Sequence, residues 1–200
     1  MEELTYKQAT LSDYDDFYKI KCDPENVKWS GFASVPDYER MKEWFCKQLD
    51  SEKRTIYIAY WNDVACGFFY LDKHEEQNAE EIGYGVLTCY SGKGIGTALV
   101  GTGAKLCKAS ELTAWVSEKN RASERCFEKN GFLKQNKVEL RELAGFQQPE
   151  QKQFFFLWSK TMSDSTYKFN QNADNKCLSS VMGGGRIAPS IYAAFYNYAA

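Results

Sequence analysis

The stretch Ser91-Gly92-Lys93-Gly94-Ile95-Gly96-Thr97-Ala98-Leu99 constrains the fold more than any other part of the chain. Residues 81–87 before it read as a strand, and residues 94–108 read as a helix. Three alternating glycines therefore stand where a strand turns into a helix. Glycine lets the backbone approach a bulky anion and adopt dihedral angles closed to other residues. The first turn of a helix adds N–H groups without intrahelical partners and the positive end of a dipole. Strand, glycine loop and helix in this order form a pyrophosphate cradle; a glycine-rich turn with no ligand is the competing reading. The loop lacks the Gly-Lys-Ser/Thr ending of a P-loop, and its alternating glycines do not have GxGxxG spacing.

The rest of the pattern surrounds that unit with alternating elements. Residues 4–9 predict a first strand. Thr10 is a candidate cap for a helix to about Lys21, with Asp13 three residues on. Ser34 is a candidate cap for a second helix, with Pro36 in its first turn and Asp37 completing a capping box. Tyr38, Met41, Phe45 and Leu49 recur there at helical spacing, and Trp44 widens the stripe. Residues 54–61 and 64–72 are aromatic and β-branched, and Asn62-Asp63 between them predicts a hairpin. A polar loop, His74 to Asn78, precedes the strand at 81–87. Gly101 and Gly103 lie inside the helix at 94–108 and predict close packing or weak helicity. A strand at 112–117, a helix at 122–129 and strands at 138–143 and 153–160 complete the order β-α-α-β-β-β-α-β-α-β-β. Residues 163–200 change character: they are polar, contain Gly183-Gly184-Gly185, and end on a stretch where Pro189 could open a helix carrying Ile191, Ala194, Phe195 and Tyr198 on one face. The expected division is a folded domain over 1–162 and an extension over 163–200. That helix would dock on its own domain or on a second copy, giving a monomer or a homodimer.

Composition narrows the functional classes. Of 200 residues, 44% are hydrophobic and 26% charged, enough for a core, and the formal net charge of −2 lacks the basic stripe of a nucleic-acid binder. No apolar run has membrane-spanning length and no signal peptide is evident, so no membrane partner and a cytoplasmic location are expected. The seven cysteines have no CxxC spacing and read as free thiols. His74 is the only histidine, which argues against a Cys/His zinc site and a Ser-His-Asp hydrolase; no metal is expected.

A second motif follows: Asn120-Arg121-Ala122-Ser123-Glu124-Arg125-Cys126-Phe127-Glu128-Lys129-Asn130-Gly131-Phe132. A polar Asn leaves a strand end, a short helix follows, and Gly131 stops it as a left-handed cap would. Together the two motifs resemble the GNAT superfamily of N-acetyltransferases, whose first motif is Gln/Arg-x-x-Gly-x-Gly/Ala and whose second is an Asn, then Ala/Ser, then Tyr, then Gly-Phe. Glu81-Ile82-Gly83-Tyr84-Gly85-Val86-Leu87 is similar to the family's fourth strand. The resemblance covers residues 3–160. It implies an α/β fold with a mixed, mostly antiparallel, twisted sheet splayed between strands 4 and 5 and flanked by helices. It also implies acetyl-CoA as cosubstrate and a primary amine of a small molecule as acceptor.

Residue by residue, the resemblance implies that Val86 and Leu87 offer backbone groups to the pantetheine arm in the splayed gap. Gly92, Lys93, Gly94, Ile95, Gly96 and Thr97 would hold the pyrophosphate, Asn120 would bond the pantetheine, and Ser123 and Phe127 would lie near the cofactor. Two positions depart from the pattern. Ser91 replaces the usual Gln or Arg, and Phe127 replaces a Tyr able to protonate the leaving thiolate, so that role is absent or moved. The reaction itself needs a neutral amine and a donor for the oxyanion, for which the Leu87 N–H is the candidate. Glu81 is the first candidate for general base, with Tyr84 and Cys126 as other proton-transfer candidates. On a strand, Glu80 and Glu81 face opposite ways, so one of them at most can serve; both as solvated surface charges is the alternative. Trp29 and Phe32 could form an aromatic wall for the acceptor, or pack as core or lid. Trp29-Ser30 with Trp44-Phe45 resembles acetyltransferases of amino-sugar nucleotides and implies an amino sugar. Two alternatives stay open: a non-catalytic acyl-CoA-binding module, which Phe127 and Ser91 favour, and a protein or peptide N-terminal acetyltransferase.

Overall fold

The computed structural model describes residues 3–143 and 151–162. Its elements are β1 (Leu4–Gln8), α1 (Tyr14–Lys21), α2 (Pro24–Trp29), α3 (Tyr38–Leu49), β2 (Arg54–Trp61), β3 (Val64–His74), β4 (Ala79–Val86), α4 (Ile95–Leu106), β5 (Glu111–Ser117), α5 (Arg121–Lys129), β6 (Leu133–Leu143) and β7 (Gln151–Thr161). The seven strands form one sheet in the order β1-β2-β3-β4-β5-β7-β6. All neighbours are antiparallel except β4 and β5, which pair in parallel over Ala79–Glu111, Glu80–Leu112 and Glu81–Thr113 alone. Beyond Glu81 the two strands separate, which opens the sheet at its centre.

Helices cover both faces because the strands alternate. Leu71, Ile82, Leu112, Ala114 and Val116 bury one face against Leu99, Val100 and Ala104 of α4 and Phe127 of α5. On the other face Phe68 meets Phe17 of α1, whose ring packs on Phe45 and Trp44 of α3. Close packing accounts for a glycine inside α4. A Cβ on Gly103 would come within 2.3 Å of Ile82 Cδ1. The sheet and α4 are therefore nearer than alanine allows.

Local signals set most boundaries. Asp13 accepts hydrogen bonds from the Thr10 N–H and hydroxyl, as the Thr10/Asp13 spacing predicts. Asn62 and Asp63 both have positive φ (48° and 62°), the conformation of a two-residue hairpin turn. The cap expected at Ser34 is instead Asp37, whose carboxylate accepts from the Arg40 N–H, so the helix starts at Tyr38. A further helix, α2, precedes it: Asp23 caps it and Pro24 occupies its first position. The Asp-Pro-Glu at 23–25 is a start signal. The helix is six residues long, too short for periodicity to register. Strand β6 begins at Leu133, five residues before the expected start at Val138. The expected terminal helix after Pro189 lies outside the described residues. No helix among the described residues is long and apolar enough to cross a membrane.

Candidate active site

The site begins where β4 and β5 part. The loop after β4 leads into α4 through Gly92 (φ 80°) and Gly94 (φ 81°), both in the left-handed region that favours glycine. A Cβ on either would meet nothing within 4 Å, so the space in front of them is open. The first N–H of this turn with a backbone acceptor is that of Ala98, which donates to the Gly94 carbonyl at 3.0 Å. The preceding N–H groups belong to the open end of the helix. Ile95 turns its side chain into the core, at 2% exposure. Thr97 ties the helix to α5, its hydroxyl donating to Cys126 Sγ at 3.6 Å and its carbonyl accepting from Asn130 Nδ2 at 2.9 Å. The backbone of residues 92–97 thus leaves open space before a helix start, the setting an anion requires.

Strand register decides which backbone groups enter the gap. Leu87 donates its N–H to the Cys66 carbonyl at 2.9 Å, and Gly67 stands opposite Val86. In an antiparallel pair, bonded and non-bonded positions alternate. The N–H and C=O of Val86 therefore point away from β3, into the splay, and those of Tyr84 do the same. The Leu87 N–H, expected as the oxyanion donor, is already taken. The next one, of Thr88, goes to the Asp23 carboxylate at 2.8 Å. At this end of the strand the donor left facing the gap is that of Val86, with that of Tyr84 two residues before it. The Val86 carbonyl accepts from Asn26 Nδ2 at 3.2 Å, and the same amide bonds the Ile20 carbonyl at 2.8 Å. Asn26 is thus a strut between α1, α2 and the open edge of β4. Its spacing in the sequence carries no sign of this, because its partners are six and sixty residues away.

Helix α5 forms the other wall. Asn120 caps it, its side-chain oxygen accepting from the Ser123 N–H at 3.1 Å, so the cap engages the oxygen of the amide and not its NH₂. Ser123 Oγ accepts from the Tyr84 hydroxyl at 3.3 Å. Phe127 is withdrawn: it is 2% exposed and packs edge-on against Phe132.

Of the two adjacent glutamates, Glu80 turns toward the end of α4, where Oε1 accepts from the Lys108 N–H at 3.4 Å. Glu81 turns to the opposite face, toward α1–α3, and is also buried, at 5% exposure. There it stands opposite Asp72 in the β3–β4 register, with His74 Nε2 3.7 Å from its Oε2. Contact with Glu81 raises the His74 pKa above the usual histidine range. Asp72 in turn binds Arg54 in two hydrogen bonds, to Nε and NH2. Tyr70 and Trp44 lie over the guanidinium, at 4.3 and 5.4 Å. Lys21 is buried at 4% exposure near Phe32 and Phe68, and burial lowers its pKa to about 7. This polar cluster, drawn from α1 and β2–β4, was not foreseen. Arg54 and Asp72 occupy inward positions in otherwise apolar alternations, and that is the one trace of it in the sequence.

The two aromatic residues expected at the acceptor side part company. Phe32 is in the core at 8% exposure. Trp29 stays half-buried at the end of α2, its ring N–H donating to Glu25 at 3.0 Å. Among the described residues no group of three His, Cys, Asp or Glu side chains is placed to hold a metal ion, and the six cysteines there are all free thiols.

Comparison with known proteins adds three findings. A family model described as an acetyltransferase (GNAT) domain matches residues 3–133. No curated protein matches the sequence. Many solved structures share the fold. Spermidine N-acetyltransferase from Vibrio cholerae, in complex with CoA and spermine, superposes with a TM-score of 0.70 at 11% identity, over 80% of this chain and 95% of that one. The yncA protein of Salmonella typhimurium, with its cofactor acetyl-CoA, gives 0.64 at 14% identity, over 84% and 98%. Ribosomal-protein-alanine N-acetyltransferase from Brucella melitensis gives 0.64 at 19% identity, over 78% and 99%.

Proposed function

The chain belongs to the GNAT acetyltransferase family, and from that premise we propose that it transfers an acetyl group from acetyl-CoA to a primary amine of a small molecule, by direct attack in a ternary complex. The observation that carries this reading is the pairing of an open anion cradle at residues 92–97 with a parallel strand pair that separates after three residue pairs. The first holds a pyrophosphate. The second exposes strand backbone to an extended arm.

Acetyl-CoA would supply an activated acetyl thioester. Residues 92–97 would bind its pyrophosphate through backbone N–H groups. Tyr84 and Val86 would hold the arm with the backbone groups that β5 leaves unpaired, and the Asn120 amide would donate from the other wall. The Val86 N–H would stabilise the oxyanion, because it is the donor of that strand end not already engaged. The amine would enter from the α1–α3 face. There Glu81, with His74 beside it, is the group to take its proton, directly or through water. Small acceptors are favoured because α2 and its Asn26 strut span that side of the gap. An amino sugar is one such acceptor. The polyamine of one structural relative and the ribosomal-protein alanine of another define the other arms of the test.

The experiment is thiol release from acetyl-CoA with a panel of amino sugars, polyamines, amino acids and N-terminal peptides. Release with a small amine, and not with peptides, is expected. Release with peptides alone would replace the small acceptor by a protein one. Binding of acetyl-CoA without release in any arm would leave a non-catalytic acyl-CoA module.

A further inference from the structure

Helix α2 touches the open end of β4 at two points. Asp23 accepts from the N–H and the hydroxyl of Thr88, at 2.8 and 2.6 Å. Asn26 Nδ2 donates to the Ile20 carbonyl at 2.8 Å and to the Val86 carbonyl at 3.2 Å. A carbonyl accepts from the NH₂ of an amide and not from its oxygen, so these two bonds fix which end of the Asn26 amide meets the strand edge. The oxygen lies elsewhere, 3.0 Å from the place a Cβ on Gly85 would take. Gly85 shares its face of β4 with Glu81, because a strand has a period of two. Oδ1 therefore stands on the acceptor face, beside the residue before Val86, whose N–H faces the gap. Among the described residues no donor reaches this oxygen, and Asn26 is half-buried rather than enclosed.

Resting on the acetyl-transfer reading above, we propose that Asn26 orients the acceptor: its Oδ1 receives one N–H of the attacking amine and so aims the nitrogen lone pair at the thioester carbonyl carbon. The nitrogen forms its bond to that carbon, and the carbonyl π pair moves to the oxygen that faces the Val86 N–H. The nitrogen turns positive as it attacks, which strengthens a hydrogen bond from its N–H to a neutral oxygen. The contact therefore counts for more in the transition state than in the ground state. The other N–H proton passes to Glu81, directly or through water. The carbon–sulfur bond then breaks, its electron pair leaves on sulfur, and the thiolate takes a proton from solvent. An amide oxygen suits this place better than a carboxylate. A carboxylate would hold the amine as ammonium, which has no lone pair, whereas a neutral oxygen accepts the N–H without favouring the charged form. A primary amine has one N–H for Asn26 and one for Glu81. A secondary amine has a single N–H to serve both.

The test uses Asn26→Leu, Asn26→Asp and Thr88→Val, each assayed with the amine of highest turnover in the panel above. In Asn26→Leu, kcat/KM for the amine should fall about tenfold to a hundredfold, the range for a hydrogen bond to a charged group, while the Kd for acetyl-CoA stays within about threefold of the wild type. In Asn26→Asp, the pH at which kcat is half-maximal should rise by about one unit or more, because the bound ammonium gains a carboxylate partner. Thr88→Val cuts the other tie of α2, the hydroxyl bond to Asp23, without touching Asn26. It should lower Tm yet change the amine kcat/KM by less than about threefold, which separates holding α2 in place from contact with the amine. Wild-type kcat/KM in Asn26→Leu overturns the assignment. So does a loss of acetyl-CoA affinity equal to the loss in kcat/KM, an unmoved pH midpoint in Asn26→Asp, or a fall in Thr88→Val as large as that in Asn26→Leu. A wild type that releases thiol with no amine at all sinks the transfer reading, and this contact with it. A wild type that turns over while Asn26→Leu matches it sinks the contact alone.

Discussion

On the face of β4 that looks toward α4 and α5, the candidate site is made of backbone: positive-φ glycines, an uncovered strand edge and two helix starts. On the face that looks toward α1–α3 it is made of buried charge: Lys21, Arg54, Asp72 and Glu81, all at most 6% exposed, with His74 at the margin. A CoA arm offers phosphates and amides that main-chain groups recognise without any particular side chain. An acceptor amine has to be selected and deprotonated, which requires titratable side chains held at fixed positions. The first face can tolerate many side-chain changes, and the second few.

The largest test of that contrast is Arg54→Met. It leaves the Asp72 carboxylate buried without its bidentate partner, which costs about 3–5 kcal/mol. Adding Asp72→Leu should recover most of the loss in a chemical denaturation series. A single variant as stable as the wild type would show the cluster to be solvated.

On the other face the expected loss is of binding. Saturating acetyl-CoA should raise the wild-type Tm, a stabilisation of about 2.7 kcal/mol at a hundredfold excess over Kd. Gly94→Trp should abolish that rise, since it fills the open space of the cradle and forces a large residue to φ 81°. A Tm rise equal to the wild type's would remove the cradle from the site.

A smaller effect is expected at Gly83, whose added Cβ would lie 2.3 Å from the Tyr70 ring and hydroxyl. Gly83→Ala must push Tyr70 off its place over Arg54, an overpacking cost of about 1–3 kcal/mol. Gly92→Ala meets no atom and should cost only its backbone strain, about 1 kcal/mol. Equal losses at the two would erase the difference between the faces.

The smallest effect depends on pH. Folding lowers Lys21 from 10.5 to about 7 through burial. Below pH 7 both states carry the charge, and the folded state bears its full desolvation cost. Between about 7 and 10.5 the folded chain gives up a proton that the unfolded chain keeps, so stability rises with pH. Lys21→Met should therefore raise Tm at pH 6, with the gain shrinking at pH 9. A gain independent of pH would show that Lys21 carries no such cost.

Relations that span a few residues were determined by the sequence itself. The glycine loop, the Asn120 cap, the Thr10–Asp13 box and the Asn62-Asp63 turn each depend on neighbours close in the chain. Alternation on β4 likewise divided Glu80 from Glu81 before any coordinates, because a strand has a period of two. Tertiary structure decided what depends on register and on distant partners. The Leu87 N–H is lost to Cys66 because of one β3–β4 register, which moves the available donor to Val86. Phe127 gains a phenol at its side because Tyr84, 43 positions earlier in the numbering, faces the same helix start. The Arg54–Asp72 pair exists because two strands of a hairpin place both residues on the same face. Local spacing encodes a backbone cradle, since its geometry closes within one turn. It cannot encode a cluster of side chains whose burial is set by the packing of four separate elements.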